Sequence, residues 1–161
     1  MSADQFLPHI EQRPREGSLC MGCHSCEMMC GIFHDGVVGP AHKRIQVELD
    51  SINSMIYTVH TCQHCADHPC YDACPLRDKA MCLDERGIAY VNEPFCIGCG
   101  KCVRSCRFTP SRIVLVQVKD KKQRKAKKCD LCRGRAEGPI CVEHCAALVL
   151  KLSGDEAGKE E

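Results

Sequence analysis

Hydrophobic and polar residues alternate only over short stretches of this chain, and few of the elements that this pattern predicts exceed about ten residues. Alternation bounded by turn residues predicts short strands over residues 44–50, 55–61, 81–84, 87–91, 113–118 and 146–152. The first two strands should form a hairpin around a turn at residues 51–54, and the next two should pair with each other.

Short helices are predicted over residues 26–33, 70–76 and 102–108, each after a tight loop rich in cysteine. A unit of loop, short helix and strand recurs about every 33–42 residues, which indicates an internal repeat. Residues 1–14 are predicted to be an exposed arm and residues 153–161 a disordered polar tail. The fold class that follows is α+β, built from small repeated units.

The apolar core should be thin, because 17 of the 161 residues are cysteines that count toward the 44% apolar fraction, and there is no tryptophan. Cysteine at this density indicates either a disulfide framework or bound metal. The odd cysteine count and the lack of an apolar leader segment favour metal. No apolar run approaches the ~20 residues that span a bilayer. We therefore expect a soluble cytoplasmic protein with no membrane span and with reduced, metal-binding thiols.

Sixteen of the seventeen cysteines fall into four groups of four, quartets one to four, and Cys82 is left over. Quartets one and three share the spacing C-x2-C-x2-C-x3-C, whereas quartet two has C-x2-C-x4-C-x3-C and quartet four has C-x2-C-x8-C-x3-C. In chain order, the quartets are Cys20, Cys23, Cys26 and Cys30; Cys62, Cys65, Cys70 and Cys74; Cys96, Cys99, Cys102 and Cys106; and Cys129, Cys132, Cys141 and Cys145.

The spacing suits 4Fe–4S clusters, since a cube has four iron corners and each corner takes one thiolate. A loop with cysteines at i, i+3 and i+6 wraps three corners, and the fourth cysteine lies beyond the loop and ligates a neighbouring cluster. Quartets should therefore exchange ligands in pairs, and four quartets predict four 4Fe–4S clusters. The alternative is zinc, above all for quartets two and four, because structural zinc sites also use C-x2-C pairs. Such a chain would be a zinc-binding interaction module.

Over residues 20–145, the chain resembles the four-cluster, ferredoxin-like electron-transfer subunits of multisubunit oxidoreductases. The resemblance is carried by the stretches CMGCHSCEMMC, CQHCADHPCYDACP, CIGCGKCVRSC and KCDLC-x8-CVEHC. It implies that quartets one and four exchange ligands, as do quartets two and three. The implied ligand sets, called sites 1 to 4, are Cys20, Cys23, Cys26 and Cys145; Cys129, Cys132, Cys141 and Cys30; Cys62, Cys65, Cys70 and Cys106; and Cys96, Cys99, Cys102 and Cys74.

The same resemblance implies two interlocked two-cluster modules. Residues 15–57 and 120–152 would form the outer module from quartets one and four, and residues 58–119 the inserted module from quartets two and three. The chain departs from the family pattern after the fourth cysteine of each quartet, where a proline follows only Cys74. This departure should change local turns and reduction potentials, but not ligation.

Each implied cluster has a full set of four thiolates, so no iron is left open for substrate and the chain is predicted to be non-catalytic. The resemblance implies a subunit that relays single electrons between the catalytic subunit of an oxidoreductase and a second redox subunit or carrier. Small size favours a tungsten or molybdenum pterin enzyme, of the aldehyde oxidoreductase or formate dehydrogenase type, with a flavin subunit as second partner. Some such subunits self-associate into a chain of clusters. CO dehydrogenase and hydrogenase complexes are the alternative partners.

Residues outside the quartets add little to this picture. Four histidines lie inside the cysteine motifs, where each could donate a hydrogen bond to a sulfur: His24, His64, His68 and His144. Cys82 is expected to be a buried or unreactive thiol. Residues 119–128 carry seven Lys or Arg, which indicates a solvated loop or a patch that compensates charge or docks an acidic partner. No aromatic residues are interleaved with this run, so nucleic-acid binding is not expected.

Overall fold

The computed structural model describes residues 6–13, 19–51, 55–118 and 123–153. In chain order, its elements are β1 (Ile10–Gln12), α1 (Ser25–Asp35), β2 (Gln46–Ser51), β3 (Ile56–His60), α2 (Pro69–Asp72), β4 (Met81–Leu83), β5 (Ala89–Val91), a 3₁₀ helix (Glu93–Phe95), α3 (Lys101–Arg104), β6 (Ile113–Gln117), β7 (Arg124–Lys128), α4 (Ile140–Glu143) and β8 (Leu150–Leu152). No helix among these is long and apolar enough to cross a bilayer.

The strands form four antiparallel two-stranded sheets, which pair β1 with β8, β2 with β3, β4 with β5 and β6 with β7. The β2–β3 hairpin and the β4–β5 pair confirm two predictions from the alternation. β6 occupies the strand predicted over residues 113–118, whereas β8 keeps only the last three residues of the stretch predicted over 146–152. The tip of the predicted turn, residues 52–54, and residues 154–161 of the predicted tail lie outside the described residues.

β1 corrects the prediction of an exposed N-terminal arm. Ile10 pairs with Leu152 at the other end of the chain, and only 2% of its surface is exposed. The Gln12 side chain also bonds to β3, donating to the Tyr57 carbonyl oxygen at 2.9 Å and accepting from the Val59 N–H at 2.7 Å. A strand of three residues is too short to show a periodicity, and its partner is far away in sequence.

β7 corrects the prediction of a solvated basic loop. The second half of the basic run forms this strand beside β6, and Lys128 stands opposite Ile113. Lys127 and Lys128 are only 8% and 3% exposed, so two cations lie inside the fold. Residues 119–122, the first part of the run, lie outside the described residues.

The helices are short because their ends are set by the cysteine motifs. α1 confirms the first predicted helix and ends at Gly36, whose left-handed backbone lets its N–H bond to the Ile32 carbonyl oxygen at 2.9 Å. α2 and α3 are only four residues long, shorter than predicted. The Cys74 N–H bonds to the Tyr71 carbonyl oxygen at 3.0 Å, a 3₁₀-type bond that ends the helix, and Cys106 ends α3 in the same way.

Cysteine supplies much of the buried core, in agreement with the thin apolar core predicted. One buried cluster comprises Ile10, Cys26, Cys30, Ile45, Val47, Val59, Cys62, Ile88, Cys129, Leu131, Cys141 and Leu150. A second comprises Met81, Ala89, Cys102, Ile113 and Ala126, with further cysteines of quartets two and three packed against it. α1 packs on α4, and α2 packs on α3. The quartets at the two ends of the chain thus meet, and so do the two in the middle.

Candidate metal centres

The cysteines of quartets two and three line two cavities. A cavity that is partly open to solvent is lined by the four cysteines of site 3. A second such cavity is lined by the four cysteines of site 4. Each cavity therefore has three cysteines from one quartet and one from the other. Cys70 and Cys74 lie at the two ends of the α2 turn and face different cavities.

Site 1 lies where α1 packs against the end of α4. Burial raises the pKa of the Cys26 thiol to about 12, and the charges of Cys20 and Cys145 add to the rise. These three predicted ligands therefore lie close together. The fourth, Cys23, is exposed, and hydrogen bonds with Ser25 lower its pKa.

Site 2 is the most deeply buried of the four sets. Burial raises the pKa of the Cys30 thiol to about 11, with a contribution from Cys132. Burial also raises the pKa of Cys141 and of Cys129, and the charge of Cys30 contributes to both. The protonated thiol is thus favoured in each case, so iron must displace these protons when it binds.

The donor groups around the cysteines fit iron–sulfur clusters. Backbone N–H groups already bond to sulfur at 3.3–3.4 Å in three pairs: Arg44 with Cys30, Arg112 with Cys106, and Ala126 with Cys96. Two buried side-chain nitrogens of the described chain have no partner, His64 Nε2 and Arg112 Nε, and both residues line the site 3 cavity. Thiolates and inorganic sulfides accept such hydrogen bonds. Within the described ranges, no three His, Cys, Asp or Glu side chains converge on the position of one metal ion.

Gly98 holds the tight loop of quartet three against β7. Its φ is +67°, and a Cβ at this position would lie 2.2 Å from the Arg124 carbonyl oxygen. We expect Gly98→Ala to cost about 3 kcal/mol, because the left-handed backbone is strained for alanine and the added methyl overpacks the loop. Gly134→Ala is the matched control: its φ is +89°, but no atom lies within 4 Å of its Cβ, so only the backbone strain applies. For both variants, stability is measured by the rate at which guanidinium bleaches the cluster absorption. Gly98→Ala should bleach faster than Gly134→Ala, and equal rates would contradict the packing argument.

A charge network ties α1 to β7. Lys127 Nζ donates to the two carboxylate oxygens of Asp35 at 2.9 and 3.0 Å and to Glu93 at 3.2 Å. Arg44 bridges the same two carboxylates at 3.3 and 3.0 Å. Although burial acts in the opposite direction, hydrogen bonds with Lys127 and His42 lower the pKa of Asp35. Lys127 therefore compensates charge inside the fold, which agrees with one of the two alternatives predicted for the basic run.

Lys128 and His64 form a buried pair beside the site 3 cavity. Lys128 Nζ lies 2.7 Å from the Ala89 carbonyl oxygen, 3.3 Å from that of Cys129 and 3.3 Å from His64 Nδ1. Burial opposes the charge of Lys128, but the thiolates of sites 2 and 3 raise its pKa. Burial and the Lys128 charge lower the pKa of His64 to about 2, so the imidazole is neutral. The sequence signal for Lys128 was its position directly before Cys129.

The other predicted residues lie as follows. His24 and His144 bond to groups of α1 and α4, their own helices. His68 lines the site 3 cavity and bonds to the Gly87 carbonyl oxygen at 2.6 Å. Cys82 is buried in β4, as predicted, and lines neither cysteine cavity.

Comparison with known proteins agrees with this chemistry. The family model of the 4Fe-4S dicluster domain matches residues 53–155, more than half of the chain. The chain is 39% identical over 142 residues to AegA of Escherichia coli (strain K12), a match that covers 86% of this chain but 21% of AegA. It is 38% identical over 127 residues to the polyferredoxin-like subunit of the aliphatic sulfonate oxidoreductase of Pyrococcus furiosus. That match covers 78% of this chain and 66% of the relative.

A third relative is matched over most of its length. The chain is 32% identical over 150 residues to the electron transport protein HydN of E. coli, with 84% of this chain and 83% of HydN covered. The family model, the length of this match and the two cavities lined by cysteine all point to one class of cofactor. The chain belongs to the 4Fe-4S dicluster domain family and is an iron–sulfur protein.

Proposed function

We propose that the protein is a non-catalytic subunit that relays single electrons through four 4Fe–4S clusters, between the catalytic subunit of an oxidoreductase and a second redox partner. The clusters would be held by the cysteines of sites 1 to 4. A thiolate-bound cube moves one electron without exchanging ligands, and a full set of four thiolates leaves no iron for substrate. The observation that carries the proposal is the pair of cavities lined by cysteines of quartets two and three, and we infer that the four ligand sets form one uninterrupted line.

The line is supported by the fact that the charge of a cysteine in one site raises the pKa of a cysteine in the adjacent site. Burial is the main cause of the raised pKa of Cys141, Cys129 and Cys102, and a cysteine of the neighbouring site contributes in each case. The pairs are Cys26 with Cys141, Cys62 with Cys129, and Cys70 with Cys102. They connect site 1 to site 2, site 2 to site 3, and site 3 to site 4.

The two ends of the line reach the surface. Cys23 of site 1 and Cys99 of site 4 are exposed, whereas Cys129, Cys132 and Cys141 of site 2 are buried. Exposed apolar side chains precede both terminal cysteines in their loops: Leu19 and Met21 at site 1, and Phe95 and Ile97 at site 4. Exposed apolar side chains grouped in this way are typical of interaction surfaces. We assign the two ends as the points where electrons enter and leave.

The proposal includes the division into two interlocked modules. Residues 15–57 and 120–152 would hold sites 1 and 2, and the inserted residues 58–119 would hold sites 3 and 4. The contact of α1 with α4 and that of α2 with α3 support this division. The β1–β8 sheet adds residues 10–12 to the outer module.

The name of the P. furiosus relative, a polyferredoxin-like subunit of an oxidoreductase, supports a catalytic subunit as one partner. The finer proposal is that this subunit has a tungsten or molybdenum pterin, that a flavin subunit is the second partner, and that copies of the chain join through the same exposed ends. The proposal includes a cytoplasmic location, because thiols stay reduced in that compartment.

Metal analysis of the full chain, purified without oxygen, tests the cluster assignment. We expect about sixteen iron and about sixteen sulfide per chain, and no zinc. About four zinc and no sulfide would overturn the relay in favour of a zinc-binding module. About twelve iron would remove one site and break the proposed line.

A further inference from the structure

Lys128 places a positive charge between sites 2 and 3. Its side chain is buried, and its Nζ lies 2.7, 3.3 and 3.3 Å from the carbonyl oxygens of Ala89 and Cys129 and the Nδ1 of His64. Cys62 of site 3 is a further hydrogen-bond partner, so acceptors are present for all three N–H bonds of an ammonium group. The side chain also lines the site 3 cavity.

The Lys128 contact decides which nitrogen of His64 carries the proton. An ammonium group only donates, so Nδ1 accepts and the proton of the neutral ring is on Nε2. That Nε2 atom is buried without a partner in the described part of the chain, and the same holds for Arg112 Nε. Both residues line the site 3 cavity. A buried N–H that bonds to nothing costs about 1–3 kcal/mol, and an occupant of the cavity that both residues line can supply the acceptor.

Site 4 has different surroundings. Apart from its four cysteines and two glycines, its cavity is lined by apolar side chains: Pro75, Leu76, Ala80, Met81, Val91, Ile97, Leu115 and Ala126. Lys125 donates to the Cys96 carbonyl oxygen at 2.5 Å, but it does not line this cavity and is only half-buried. At site 3, Arg107 also lines the cavity, but it pairs with the exposed Asp67.

We propose that Lys128, His64 and Arg112 raise the reduction potential of the cluster at site 3 above that of the cluster at site 4. The inference rests on the proposed cluster at site 3. Reduction adds one negative charge to the cluster, and a buried ammonium or an N–H bonded to its sulfur stabilises that charge more than the oxidised state. Of these two clusters, the one at site 3 is therefore reduced first.

Redox titration of the anaerobic full chain, followed by the electron paramagnetic resonance of the reduced clusters, tests the inference. Cys106→Ser identifies the site 3 signal, which should develop at a higher potential than the site 4 signal and should be missing or altered in this variant. Lys128→Met should lower its reduction equilibrium constant about tenfold, or 59 mV for a one-electron couple. Lys125→Met, a lysine of the same strand beside site 4, should leave the site 3 signal unchanged.

Arg112→Gln is a second variant, since removing the buried Lys128 charge can impair folding. It should lower the same potential by a smaller factor, about threefold, or roughly 28 mV. A site 3 potential that is unchanged in both variants, with the iron content intact, would overturn the inference alone. An unaltered set of signals and full iron content in Cys106→Ser would instead overturn the proposed cluster at site 3, and the relay with it.

Discussion

Removal of the iron should unfold most of this protein rather than leave an empty scaffold. Among the residues that the structure describes, 22 apolar side chains are buried; eight of them are cysteines, and seven of these eight are proposed ligands. The strands have three to six residues, and three of the four α-helices have only four. Elements this short are unstable by themselves, so their stability must come from what they pack against.

The magnitudes favour unfolding. A structural zinc ion contributes about 10–16 kcal/mol of apparent binding free energy in a small metal domain. The net stability of a whole domain is about 5–15 kcal/mol. Chelation removes all four sites at once, and four contributions of comparable size together exceed the net stability of a whole domain.

Circular dichroism in the far ultraviolet, recorded while an iron chelator bleaches the cluster absorption, measures this effect. We expect the two signals to fall together. A chain without iron that keeps its dichroism and still melts cooperatively would show that the apolar residues suffice.

The cysteine spacing and the short alternations predicted the parts of this fold that are local in sequence. α1, the β2–β3 hairpin and the β4–β5 pair are confirmed because each depends on fewer than about twenty consecutive residues. β1 was not predicted because it is stabilised by pairing with β8, at the other end of the chain. The local sequence pattern around β1 does not indicate that contact.

The basic strand β7 was misassigned for an electrostatic reason. Hydropathy places lysine at the surface, since burying an unpaired ammonium is costly. Here the cost is offset by the Asp35 and Glu93 carboxylates around Lys127, and by carbonyl oxygens and thiolates around Lys128. Those partners come from α1, β5 and the cysteine loops, so only the folded chain brings them together.

The proposed line of clusters predicts that loss of a terminal ligand stops the relay while most of the protein survives. Cys99 is exposed at the site 4 end, so Cys99→Ser should disturb packing little. We expect this variant to lose about a quarter of its iron and sulfide, because one of four clusters depends on Cys99. The matched control is Cys82→Ser, which changes a buried thiol that lines neither cavity and should keep all of its iron.

Electron flow should fall much more than the iron content. In the native complex that carries Cys99→Ser, transfer from the catalytic subunit to the second partner should drop to the level measured without this protein, whereas Cys82→Ser should transfer normally. Cys23→Ser removes a ligand at the opposite end of the proposed line, with sites 2 and 3 between it and Cys99, and should have the same effect. A linear relay fails when any one of its clusters is lost, so electron transfer should stop equally in the two terminal variants. In a store of independent clusters, electron transfer would instead fall only in proportion to the iron content. Normal transfer in either variant would mean that electrons bypass that end, and the line of four would be wrong.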